Sequence, residues 1–199
     1  MHALAQIATL LIQTLASLFL FFVVLRFLLQ LARADIYNPL SKAVVKITSP
    51  LLIPLRKVVP GFFGIDLASV VLALLVGLVA IELNLLVVGA APVNPLRALG
   101  WAAIGVVYLT SYMIFAGLII TVIVSWVAPH SRHPFLILLY QLMAPIQRPF
   151  QRLIPDLGGL DITPIFIILV INIVWIVLES FARALGLNSL YVGFVPGIV

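Results

Sequence analysis

The chain has 199 residues, 64% of them hydrophobic and 9% charged, against about 45–50% apolar and about 25% charged in a soluble domain, so folding alone cannot hide its apolar surface and the bilayer is its solvent. A net charge of +5 fits the Lys and Arg excess that membrane loops carry for topology, and no nucleic-acid partner is expected. Cys is absent, which excludes a disulfide framework, a Cys-ligated zinc site, an iron–sulfur cluster and a thiol nucleophile.

Apolar runs at about 7–31, 67–89, 102–127 and 162–182 are each long enough to cross a hydrocarbon core of about 30 Å. They predict helices: "LASVVLALLVGLVAIELNLLVV" is apolar all round, with only Glu82 and Asn84 as breaks, and lacks the strict alternation of a barrel strand. The first run has no basic n-region and no small-residue cleavage site, so it is expected to be a retained span rather than a signal peptide. Arg26, inside its end, is expected to snorkel to the surface or to pair with an acid such as Asp66.

The connection after the first span carries Arg33, Lys42, Lys46, Arg56 and Lys57, and the one after the third carries Arg132, Arg148 and Arg152. Arg97 and Arg183 fall on the other side. The positive-inside rule then places both connections in the cytoplasm and both termini outside.

A shift of 95 residues lays the second half on the first, pairing Pro39 with Pro134, Pro50 with Pro145, Pro54 with Pro149, Pro60 with Pro155, Gly64 with Gly159 and Asp66 with Asp161. Each copy is span, connection, span, and an even number of crossings makes the copies parallel. The sequence therefore predicts an all-α polytopic membrane protein of four transmembrane helices in two parallel repeats, residues 1–92 and 93–199. Each repeat has interfacial amphipathic helices between its two spans, within connections 38–62 and 133–157.

In those connections Leu40, Ala43, Val44 and Ile47 draw one apolar stripe, and Phe135, Leu138, Leu139 and Leu142 draw it again. A second stripe follows each middle proline, at Leu51, Leu55, Val58 and Val59 and at Ile146, Phe150, Leu153 and Ile154. Lys42, Lys46, Arg56, Lys57, Arg148 and Arg152 are expected among anionic headgroups, with the apolar side chains in the acyl boundary.

Pro39 and Pro134 suit a first helical position, while Pro50 and Pro145 are expected to break each connection into two pieces. Pro54 and Pro149 are expected at a kink or a one-turn start, and Pro60 and Pro155 at the end of the second piece. Gly64 and Gly159 permit a left-handed turn, and Asp66 and Asp161 fit N-caps of the second and fourth spans. Two acids at equivalent places also suit the flanks of a cation path.

Asn172 is expected to face another helix, and Glu82, Asn84 and Glu179 to lie near the outer surface. His130 and His133 have an i, i+3 spacing that suits either two metal ligands or a polar turn with an N-cap. No metal or other cofactor is expected. No hydrolase elbow, Walker loop or dinucleotide fingerprint occurs, so no enzymatic activity is expected.

The stretch "RADIYNPLSKAVVKITSPLLIPLRKVVPGFFGIDLAS", echoed by "APHSRHPFLILLYQLMAPIQRPFQRLIPDLGGLDITP", resembles the duplicated motif of the YggT/YlmG family of small integral membrane proteins. The second copy departs from the first at Arg33-Ala34-Asp35 and Asn38, where it has Ala128-Pro129-His130 and His133. The resemblance implies links to osmotic-stress tolerance and potassium homeostasis, as for bacterial relatives. It also implies links to haem attachment in cytochrome assembly and to division-site organisation, as for plastid relatives. The reading that uses every recurrent feature is a non-enzymatic inner-membrane protein supporting envelope function, in osmotic tolerance or membrane-complex assembly, through its basic amphipathic segments. The alternatives are a cation channel or transporter and a haem-assembly factor. The expected partners are anionic lipids and a second copy or another membrane protein.

Overall fold

The computed structural model describes residues 2–61, 64–153 and 161–187. Six helices follow in chain order: α1 His2–Leu31, α2 Pro39–Val58, α3 Leu67–Val88, α4 Pro95–Val127, α5 Pro134–Leu153 and α6 Thr163–Ala184. The helices α1, α3, α4 and α6 are long and apolar enough to cross a membrane. They contain the four expected spans nearly residue for residue, except that α1 and α4 start earlier. At 1.5 Å per residue α4 is about 50 Å long, so it outruns the hydrocarbon core. Asn94 opens it, its Oδ1 accepting the Leu96 N–H at 2.9 Å.

α1, α2 and α3 pack on one another, as do α4, α5 and α6, and contacts of α4 with α3 and α1 join the two triads. The main core runs from Leu20, Val23 and Val24 of α1 through Leu52 of α2 and Ile81 of α3 to Trp101 of α4 and Met143 of α5. Leu118, Ile167 and Ile171 form a smaller cluster between α4 and α6. There Trp175 stacks on Tyr108 with ring centroids 5.6 Å apart and donates from Nε1 to Ser111 Oγ at 2.8 Å. The outward faces of the spans stay apolar: Leu15, Val79, Ile165 and Ile176 are all more than half exposed. A bilayer removes the penalty such a surface would carry in water.

The connections depart from expectation. Pro50 and Pro145 do not divide them: α2 runs unbroken through Pro50 and Pro54, and α5 through Pro145 and Pro149. All four prolines lie on the exposed side. The carbonyls that lose an intrahelical donor, those of Lys46, Pro50, Gln141 and Pro145, therefore open away from the bundle. On the opposite side Ser41, Val44, Thr48 and Leu52 of α2 are buried, and this continuous packed stripe holds the helix together across its prolines. Pro39 and Pro134 do start their helices, and Pro60 follows the end of α2. Gly64 takes the left-handed conformation, with φ of 80°. Ile154, Pro155 and Gly159 lie outside the described residues.

The apolar stripes expected in each connection also resolve differently. In α2 only Val44 of the first set is buried, while Leu40, Ala43, Ile47, Leu51 and Val58 are exposed on a separate face. In α5 Leu138, Leu139 and Leu142 face the bundle, Ile146 and Phe150 are half-buried, and Phe135 and Leu153 are exposed. Periodicity marks an apolar face without saying whether protein or lipid covers it.

Candidate functional site

A polar cluster joins α1, α2 and the entry to α3. Arg26, one and a half turns from the end of α1, is buried at 8% exposure. It makes no hydrogen bond or ion pair with Asp66. Its Nη1 donates to Thr48 Oγ1 at 2.7 Å, Ser49 Oγ at 3.1 Å and the Val45 carbonyl at 3.2 Å. The one-turn spacing of Val45, Thr48 and Ser49 lets α2 present three acceptors to a single nitrogen, and the hydroxyls themselves bond back to Val44 and Val45. A charge-assisted bond of this kind is about twice as strong as a neutral one. Thr48, Ser49 and Ser69 carry no signal in a search for catalytic or ligand motifs. Only the polar breaks at Ser41 and Thr48 within an apolar stripe hint at them.

The last turn of α2 places Arg56 where a cation suits the helix end. Arg56 Nη2 donates to Asp66 Oδ2 at 2.5 Å and to Gln30 Oε1 of α1 at 3.2 Å. Asp66 holds the N-cap position of α3 but makes no side-chain cap bond. Its Oδ2 accepts from Arg56 and from Ser69 Oγ at 2.6 Å instead, which corrects the capping role expected for its carboxylate. Burial pushes the Asp66 carboxyl up, but the hydrogen bonds from Arg56 and Ser69 outweigh it and hold the group below the usual carboxylate range.

A cleft of about 800 Å³ adjoins this cluster, lined by Arg26, Arg33 and Arg56 with Asp66 opposing them. Arg33 sits at φ of 51°, the one described non-glycine residue in the left-handed region. Ala34 N–H bonds the Leu29 carbonyl and Arg33 N–H the Gln30 carbonyl, the pair of bonds that closes a helix with a left-handed residue, usually Gly. Holding a side chain there costs about 1 kcal/mol.

The second repeat does not reproduce the cluster. At the positions of Arg26, Thr48, Ser49, Arg56 and Ser69 it has Thr121, Met143, Ala144, Gln151 and Pro164. Thr121 bonds its own helix at the Leu118 carbonyl, and Met143, fully buried, packs onto Gly117. Asp161 is exposed and caps α6 from one residue further back, Oδ1 accepting the Thr163 N–H at 2.9 Å and Oδ2 the Gln151 amide at 3.3 Å. Burial raises its pKa, and these bonds from Thr163 and Gln151 more than reverse the effect. The aligned acids thus occupy unlike environments, one buried in an ion pair and one exposed.

The helix starts are better conserved between the copies. Asn38 Oδ1 accepts the Leu40 N–H at 2.9 Å, and His133 Nδ1 accepts the Phe135 N–H at 3.3 Å. His133 thereby acts as the N-cap of α5. Asn38 also donates to the Pro134 carbonyl at 2.8 Å, and Gln141 accepts the Asp35 N–H at 2.9 Å, tying the two connections together. Lys42, Lys46, Arg56, Lys57, Arg148 and Arg152 are all exposed, Lys42 standing 5.8 Å over the Tyr37 ring. Asn84 is buried near the far end of α3 with both amide atoms unpartnered among the described residues. Asn172 is exposed on α6 rather than facing another helix, its amide donating to the Ile168 carbonyl at 2.8 Å. That local bond satisfies one donor and leaves the rest of the amide outward.

Four spanning helices in two copies of span, connection and span, with each connection folded onto the bundle, define a polytopic α-helical membrane protein with an internal repeat. The chain belongs to the CCB3/YggT family, whose model matches residues 5–87 and again 100–182, the same 95-residue step that aligns the prolines. It is 46% identical over 178 residues to an uncharacterised protein of Pseudomonas aeruginosa, covering 88% of this chain and 90% of that one. It is 33% identical over 180 residues to the uncharacterised protein YggT of Escherichia coli K12, covering 89% and 92%. A protein encoded in the proC 3′ region of Vibrio alginolyticus is 36% identical over 154 residues, 77% of this chain and 83% of that protein. No solved structure matches the chain.

Proposed function

We propose that the chain is a non-enzymatic protein of the bacterial inner membrane, with both termini outside. It supports envelope function, in osmotic tolerance or the assembly of membrane complexes, by holding two basic helices on the anionic cytoplasmic leaflet. One observation carries this reading. α2 has three faces: Ser41, Val44, Thr48 and Leu52 pack on the spans, Leu40, Ile47, Leu51 and Val58 are exposed and apolar, and Lys42, Lys46 and Lys57 are exposed and basic. A helix lying along the acyl boundary while docked to a bundle needs those three faces, for lipid, water and protein. α5 offers Phe135 and Leu153 beside Arg148 and Arg152 in the same way. Each cation near the surface contributes about 1 kcal/mol of attraction to an anionic leaflet. A second copy is the partner that the outward Asn172 favours, because an amide in hydrocarbon gains from a hydrogen bond across helices.

The cysteine-free sequence makes single-site labelling clean. With spin labels at Ile47→Cys, Leu51→Cys, Lys46→Cys and Lys57→Cys in anionic proteoliposomes, the first two should be more accessible to oxygen and the last two to a water-soluble nickel chelate. Equal, water-like accessibility at all four would refute the docked position of α2.

A further inference from the structure

The cleft between α1, α2 and the entry to α3 has features that packing does not explain. Its volume, about 800 Å³, lies in the range of small-molecule sites, about 300–1,000 Å³. Three guanidinium groups line it against one carboxylate, and that carboxylate is already bound by Arg56. All three bonds of Arg26 leave from Nη1, so Nη2 and Nε of its donor fork have no acceptor among the described residues. Ser41 lines the same cleft at 3% exposure, and its buried hydroxyl has no hydrogen-bond partner among the described residues. Arg33 is held beside it in a left-handed conformation that glycine would occupy without strain. Ala128, its counterpart in the second repeat, has an ordinary negative φ of −146°.

Unpartnered guanidinium donors at the edge of one space call for an oxyanion, and planar guanidinium groups match the oxygens of a phosphate. Leu29, Ala34, Ile36 and Val45 give the lining an apolar part beside the polar Gln30, which suits a phosphate ester with a hydrocarbon part better than a free ion. Position agrees: Arg26 is five residues, about 7.5 Å, inside the end of a spanning helix, and the cleft lies at that end. We propose that it is a binding site for one anionic phospholipid, with donors from Arg26 and Arg33 on the phosphate and Leu29, Ile36 and Val45 against the start of the acyl chains. The site rests on the reading that this end of the bundle meets the anionic leaflet, and adds to it one defined, saturable position built from residues of the first repeat.

The test titrates the purified full-length chain, in neutral detergent, with dioctanoyl-phosphatidylglycerol, dioctanoyl-phosphatidylcholine and inorganic phosphate, counting bound molecules by native mass spectrometry. The expected result is one phosphatidylglycerol per chain, with phosphatidylcholine and inorganic phosphate each at least about tenfold weaker. Arg33→Gln and Arg33→Gly should each weaken phosphatidylglycerol about fivefold, the loss expected for one cation at a membrane surface. Arg33→Gly keeps the left-handed turn, so its lipid-free thermal midpoint should match or exceed the native one, which separates lost binding from lost folding. Arg97→Gln, exposed at the start of α4 and outside the cleft, should leave this affinity unchanged. Equal binding of phosphatidylcholine, equal binding of inorganic phosphate, or native affinity in both Arg33 variants would overturn the site. The accessibility profile of α2 does not depend on occupancy of the cleft, so failure here with that profile intact removes the site alone.

Discussion

Asp66→Asn and Asp161→Asn are the same chemical change at aligned positions, and the structure gives them different consequences. At 66 the change removes the partner of Arg56, whose side chain is 40% exposed while that of Asp66 is 4% exposed. Breaking a fully buried pair costs about 3–5 kcal/mol and breaking a surface pair about 0–1 kcal/mol. Arg56 can turn part of its charge to water, and Asn still accepts from Ser69, so the loss lies between these limits, at about 1.5–2.5 kcal/mol. At 161 the neutral Gln151 and the Thr163 N–H keep an acceptor in Asn, and Asn caps as well as Asp, so the cost is below about 0.5 kcal/mol. Unfolding of the detergent-solubilised chain by added sodium dodecyl sulfate measures both. A cycle with Arg56→Gln isolates the pair: once Asp66 is Asn, Arg56→Gln should have little further effect. Equal losses at 66 and 161, or additive losses from Asp66→Asn and Arg56→Gln, would refute the assignment of the ion pair.

The same pair sets a pH dependence. The Asp66 pKa is lowered in the folded chain, so its contribution is full above the unfolded pKa, about 3.9, and is lost as pH falls through the lower folded value. Acid titration of stability should show this limb in the native chain and a weaker one in Asp66→Asn. Gly117→Ala would put a Cβ 2.8 Å from Met143 Cε; the thioether end can shift, so a loss of about 1–2 kcal/mol is expected in the same unfolding assay, and a neutral result would contradict the tight α4–α5 contact. Pro50→Ala restores a main-chain donor inside a continuous helix, and the gain, reduced by the added freedom of the unfolded chain, should be about 1–2 kcal/mol. A loss of stability instead would mean that the ring itself is needed.

Much of the fold was legible because a bilayer leaves few choices. A run of some 20 apolar residues with all its backbone groups to satisfy becomes a spanning helix, so α1, α3, α4 and α6 followed from hydropathy alone. The duplicated Pro, Gly and Asp positions disclosed the repeat, and Pro39, Pro134 and Gly64 behave as their backbone chemistry dictates. Local rules failed at Pro50 and Pro145, where they require a break. The buried stripe of Ser41, Val44, Thr48 and Leu52 supplies packing that an isolated helix lacks, and only tertiary structure provides it. They failed also at Asp66, whose cap position is visible in sequence but whose carboxylate answers to Arg56, ten residues upstream, and to Ser69. No spacing rule links Arg26 with Thr48 and Ser49, because the chain reverses between them. The sequence by itself determined how many times the chain crosses and where it turns, since those follow from hydrophobicity and backbone constraint. That Arg26, Thr48, Ser49, Arg56, Asp66 and Ser69 meet in one charged cluster beside a cleft was decided by tertiary structure, because a site is made by groups that are distant along the chain and adjacent only after packing.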